Sequence, residues 1–147
     1  MFNQAGGFNT LRSTVEVVNP ATGARNRLEL KATLFNGAQD KPFLNSSAGA
    51  LFRGRDAEIS LIVDGGDFDV TLLEESVFQL FTLTGSVPLI TKTNVSGIVY
   101  TDNKIVISIS AAELYMSGRH YFEIAVVKET RATLLSGYIT IVNSRID

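Results

Sequence analysis

The sequence predicts an all-β fold, a sandwich or barrel, in a single domain. Three observations carry this. Stretches of alternating apolar and polar residues recur about every ten positions. Gly, Asn, Asp, Ser and Pro cluster between them, and helical periodicity is almost absent. The 147 residues suffice for one real core, whereas two domains of half that size would each be marginal.

Residues 1–12 form an arm. "QAGGFN" (Gln4–Asn9) is polar and Gly-rich, and Phe2 and Phe8 sit in it with no periodicity to place them. Two readings are open: a loose terminus, or an arm that docks both phenylalanines on a neighbouring chain. A hairpin is expected over 13–35. Val15 and Val17 alternate with polar neighbours, as do Leu28, Leu30, Ala32 and Leu34, and Pro20 and Gly23 punctuate the space between.

From Asn36 to Arg55 the alternation stops. "NGAQDKPFLNSSAGALFRGR" reads as a long loop, yet Phe43, Leu44, Leu51 and Phe52 interrupt it. Long structureless loops are uncommon in small domains. These apolar residues therefore either meet a partner or fold back on the chain's own sheet.

The sandwich core is expected over 56–143. "AEISLIV" puts Ile59, Leu61 and Val63 in one phase. "DGGD" (Asp64–Asp67) is a turn, since Gly accepts positive φ and Asp bonds local backbone. "FDVTLLE" reads as a strand with Phe68, Val70 and Leu72 in phase, followed by "VFQLFTLT". In "VPLITKT", Pro88 cannot donate to a ladder, so that strand lies at an edge or begins late. "IVYTDNKIVISIS" is a hairpin turning at Asp102–Asn103, with Ile105, Ile107 and Ile109 on one face.

"SAAELYMSG" is the single helical signal. Ser110 and Glu113 have capping-box spacing, and Gly118 can end a short helix whose Leu114 and Tyr115 plug one end of the sandwich. "HYFEIAVV" then places Phe122, Ile124 and Val126 in phase. The last strand, "TLLSGYITIV", does the same with Leu135, Gly137, Ile139 and Ile141.

The order of a strand, "SISAAELYMSG", "HYFEIAVV" and "TLLSGYITIV" resembles a small immunoglobulin-like module of tailed-phage virions. The module is similar to the N-terminal domain of upper-baseplate proteins and to small domains of tail-fibre regions. Ala112, Glu113, Met116, Gly118, Tyr121, Gly137 and Ile139 match its pattern, and Asp69, Val70 and Thr71 match a phrase near its opening. The resemblance covers roughly 56–143. "GRHY" carries one residue more than the family spacing, and residues 1–55 have no counterpart in it. It implies an immunoglobulin-like sandwich with an added N-terminal hairpin and arm.

Composition narrows the chemistry. A formal net charge of −2 offers no broad attraction to nucleic acid or anionic lipid. With no cysteine there is no disulfide, thiolate metal site or cysteine nucleophile. The N-terminus lacks the pattern of a signal peptide, and no stretch is long and apolar enough for a helical span, so synthesis and folding in a cytoplasm are expected. The lone histidine, His120, lies near Glu113, Arg119 and Glu123. Strand geometry points His120 and Glu123 to opposite faces, and no nucleophile motif accompanies it, so it reads as a solvated or interface residue. Asp64, Asp67 and Asp69 read as turn residues, with weak calcium binding as the alternative. Glu74 and Glu75 read as a solvated strand end, no phosphate loop is present, and the Phe and Tyr residues of the strands read mostly as core.

The expectation is a non-enzymatic virion structural protein without cofactor or metal, made in the host cytoplasm. It would bind capsid, tail or fibre subunits, and copies of itself, as a decoration protein or a tail or fibre-attachment component. The expected contact residues are Phe2, Phe8, Phe43, Leu44, Leu51 and Phe52. A carbohydrate- or host-surface-binding β-module is the alternative, weakened by the absence of tryptophan.

Overall fold

The computed structural model describes residues 13–22, 24–34, 42–45, 50–65, 68–128 and 131–143. The chain is an all-β sandwich of two sheets. Among the described residues the strands are β1 (Thr14–Asn19), β2 (Arg27–Thr33), β3 (Phe43–Leu44), β4 (Ala50–Phe52), β5 (Ala57–Asp64), β6 (Glu75–Thr82), β7 (Ile90–Lys92), β8 (Ile98–Thr101), β9 (Lys104–Ile109), β10 (Gly118–Val127) and β11 (Arg131–Val142).

The first sheet runs β1-β2-β5-β9-β8. The second runs β3-β11-β10-β6-β7, with β4 also paired to β11. Alternation decides which side chains enter the core. Leu28 and Leu30 of β2, Ile59 and Leu61 of β5, and Ile105 and Ile107 of β9 point inward and are fully buried. Phe122 and Ile124 of β10, with Leu135 of β11, meet them from the second sheet. Phe78 and Phe122 pack with ring centroids 6.2 Å apart. The expected N-terminal hairpin forms, and it extends the first sheet: β1 pairs antiparallel with β2, and β2 pairs with β5. The core thus draws on β2, β3 and β4 as well as on 56–143.

The β2–β5 pair is parallel. A parallel pair requires a crossover rather than a hairpin. The chain between β2 and β5 supplies it by passing through the second sheet, where β3 and β4 each pair parallel with β11. Of the segment expected as a long loop, the described residues 42–45 and 50–55 fold back on the chain's own sandwich. Asn26 fastens the second stretch, since its side chain accepts from Phe52 N (2.7 Å) and donates to Phe52 O (2.9 Å).

Asp102 and Asn103 form the expected two-residue turn with φ of 51° and 61°. β7 begins after Pro88 and lies at the sheet edge. Two local expectations change. "FDVTLLE" is not a strand, because Val70–Leu72 forms a single 3₁₀ turn. The Asp69 carboxylate accepts from Thr71 N (2.9 Å) and Thr71 Oγ1 (2.7 Å), and Asn103 Oδ1 accepts from Val70 N (2.9 Å). Such side-chain bonds compete with a ladder. Val70 is buried but Leu72 is exposed.

The Ser110–Met116 stretch forms a turn, not a helix. Glu113 accepts from Ser110 N (2.9 Å), as a capping box requires, but the backbone bonds stop at Glu113 N to Ser110 O and Leu114 N to Ala111 O. One turn is too short to propagate. Leu114 is fully buried and does plug the sandwich, whereas Tyr115 is exposed. Gly118 takes φ of 112°, where β10 begins.

Candidate functional site: an aromatic row on the second sheet

The outward phase of the second sheet carries the site. Tyr121 of β10 lies directly opposite Tyr138 of β11 on one side and Phe81 of β6 on the other. Cross-strand partners on one face are close enough for their rings to touch. The Phe81–Tyr121 centroids are 6.0 Å apart and the Tyr121–Tyr138 centroids 6.1 Å apart. Phe43 of β3 continues the row, packing edge-on against Tyr138 at 5.3 Å. Tyr138, Tyr121 and Phe81 thus stand directly opposite one another across three adjacent strands, and Phe43, whose register partner on β11 is Ser136, joins the end of the row diagonally.

Phe43 reaches this position because residue 137 is glycine. A β-carbon at Gly137 would collide with the Leu44 carbonyl oxygen and come within 2.7 Å of the Leu44 β-carbon. Only a residue without a side chain lets β3 lie across β11 here.

Polar groups flank the row along β10. The Arg119 guanidinium sits 4.1 Å from the centre of the Tyr138 ring and donates to Asn45 Oδ1 at 3.0 Å. On the other side the Tyr121 hydroxyl donates to Glu123 Oε2 at 2.8 Å. Burial pushes the Tyr121 hydroxyl above its ordinary pKa. Ser136 opposes that shift, while the bond to Glu123 and its charge reinforce it. The patch ends two positions beyond Glu123, where Ala125 and Val77 are buried.

The outer face of the first sheet is different in kind. Its charges pair with one another: Arg27 with Glu58 at 2.8 Å, Lys104 with Glu29 at 3.5 Å and Lys31 with Asp64 at 3.8 Å. Two adjoining clefts of about 650 and 580 Å³ lie over this face and share Arg25, Arg27 and Glu58. Most of the charges that line them already have partners. The row instead leaves apolar ring surface in solvent, with Phe43 45% exposed.

The sequence-expected site residues fall in four places. Phe2 and Phe8 lie outside the described residues. Phe43 joins the row. Leu44 and Leu51 are buried in the chain's own core, at 2% and 1% exposure, because β3 and β4 turn them inward against β11, so they offer no surface to a partner. Phe52 is half-buried under the Asn26 clamp.

His120 is not solvated. It shares the inward phase of β10 with Phe122, is 2% exposed, and its Nδ1 lies 2.9 Å from the Gly118 carbonyl oxygen. Its proximity to Glu123 in sequence produces no contact, because the two face opposite sides of the strand. Among the described residues, no three His, Asp or Glu side chains converge as metal ligands, and no helix is long and apolar enough to cross a membrane.

Arg119, Tyr121, Tyr138 and Phe81 were missed as site residues. The signal was present: in "GRHYFE", "SGYIT" and "VFQLF" each occupies the phase opposite the core residues. An aromatic in the outward phase of a strand marks surface, not core. No family model matches this chain, and no curated protein matches it.

Proposed function

We propose that this chain is a non-enzymatic structural protein of a tailed-phage virion, and that the aromatic row is where it binds neighbouring subunits, as a capsid decoration protein or as a tail or fibre-attachment component. The immunoglobulin-like module resemblance over 56–143 supplies the virion setting. The observation that carries the binding role is the outward-facing row of exposed Phe43 and half-buried Tyr138, Tyr121 and Phe81, with Arg119 stacked on it. Tyr, Phe and Arg are enriched at protein interfaces, and rigid aromatic anchors dominate their energetics. Mass spectrometry of purified particles tests the setting, and cryo-EM of those particles tests the surface. The expected result is the chain present in stoichiometric amounts with the row covered by another subunit. Absence from the particle, or a row facing solvent throughout it, overturns the reading.

Carbohydrate or host-surface binding is the second reading, favoured by the polar groups of Asn45, Arg119 and Glu123 around outward-facing rings. The ring planes are inclined at 85°, 66° and 41° to their neighbours, so they do not form one flat stacking platform. A glycan-array screen with saturable binding that is lost in Tyr138→Ala would establish this reading in place of the first.

A further inference from the structure

We infer that the outer face of the second sheet is self-complementary, and that two copies of this chain associate face to face across the aromatic row. The inference rests on the reading of that row as a subunit-contact surface and adds the identity of one partner. Along β10 the outward residues are Arg119, Tyr121 and Glu123, a cation, a ring and an anion at successive same-face positions. Arg119 and Glu123 flank the row at equal distances, about 7 Å on either side. A two-fold axis along the row, perpendicular to β10, therefore sets Arg119 of each copy over Glu123 of the other. The same axis lays Phe81, Tyr121 and Tyr138 of each copy on their counterparts. Isologous contacts demand this kind of arrangement, in which residue i meets j and j meets i.

Both charged groups are already held for such a contact. Arg119 is fixed by the Tyr138 ring and Asn45, and Glu123 by the Tyr121 hydroxyl, so little side-chain freedom remains to be lost on association. The symmetric patch is small. Centred on Tyr121, the axis leaves three residues of β10 on either side, Gly118–Ile124, or about 23 Å, and four strands span about 19 Å. This gives about 440 Å² per copy, or about 900 Å² in total, at the low end for a specific contact, so the dimer is weak and concentration-dependent.

The test is sedimentation velocity and light scattering of the full chain across a concentration series, with Arg119→Glu, Glu123→Arg and the double exchange. Circular dichroism spectra and thermal melts check that each variant folds; both positions are on the surface. The wild-type chain is expected to approach twice its 16.0 kDa mass at the top of the concentration series. Each single variant should raise the dimer dissociation constant at least about tenfold, because it places like charges opposite one another twice, and the double exchange should restore dimerisation. A wild-type chain that stays monomeric at high concentration overturns the inference, as do single variants that dimerise unchanged or a double variant that fails to recover. If the chain is monomeric in solution yet present in particles with its row covered by another protein, the self-association fails while the subunit-contact reading stands.

Discussion

Leu44 lies against Gly137 with no room between them: a side-chain carbon added at 137 would press on the Leu44 backbone and side chain together. This one contact seats β3 on β11, buries Leu44 in the core and carries Phe43 to the end of the aromatic row. Gly137→Ala is therefore expected to destabilise the fold by about 1–3 kcal/mol through overpacking. It should also separate Phe43 from Tyr138. Urea unfolding measures the first effect, and the near-ultraviolet aromatic signal reads the second. An unchanged midpoint with an unchanged aromatic spectrum would show that β3 is not held by this contact.

Phe43 and Phe122 should respond differently to truncation. Phe122 is fully buried, and Phe122→Ala should cost about 3–5 kcal/mol. Phe43 keeps one edge packing and is 45% exposed, so Phe43→Ala should cost less, about 0.5–1.5 kcal/mol. Paired denaturation curves check the contrast. Similar losses at the two positions would mean that the row serves stability rather than contact.

Asn26 is expected to be the most sensitive polar residue of the crossover. Its amide satisfies both backbone groups of Phe52 and reaches Arg55 O at 3.4 Å. Asn26→Ala leaves part-buried donors and acceptors without partners, at a cost of about 1–3 kcal/mol. Amide exchange should quicken first at Phe52, next to the lost acceptor. Retained protection there would contradict the clamp.

Glu113 should make part of the stability pH-dependent. Burial pushes its carboxyl upward, but the Lys92 ammonium at 2.8 Å and the Ser110 donors outweigh burial and hold it below the ordinary 4.5. The folded-state value is depressed, so the carboxylate's contribution is fully present above the unfolded value. It is lost as pH falls through the depressed one. Thermal melts of wild type and Glu113→Gln between neutral and acid pH should converge as acidity rises, the variant being the less stable at neutral pH. Curves that stay parallel down to acid pH would show no linkage through this group.

Much of the architecture was legible because strand phase is local. Alternation in "AEISLIV", "KIVISI" and "TLLSGYITIV" marked the inward residues, and those residues are the core. Turn chemistry located the Asp102–Asn103 reversal for the same reason: positive φ at these two positions follows from residue type and neighbours. Local logic failed where side chains competed for backbone. At Asp69 the carboxylate bonded Thr71 and converted an apparent strand into a 3₁₀ turn. His120 was misjudged because polarity stood for exposure. Its strand phase, shared with Phe122, was the stronger signal.

The sequence by itself determined an all-β chain, its strand phases and most of its core-facing residues, since a two-residue period is imposed by the backbone of each strand alone. Tertiary structure decided which strands became neighbours. The parallel β2–β5 pair, the return of β3 and β4 to β11 and the gathering of Phe43, Phe81, Tyr121 and Tyr138 into one row depend on pairings between distant segments. No local pattern encodes these pairings. They arise because each strand must satisfy its backbone hydrogen bonds while burying one face, and only the assembled sandwich does both at once.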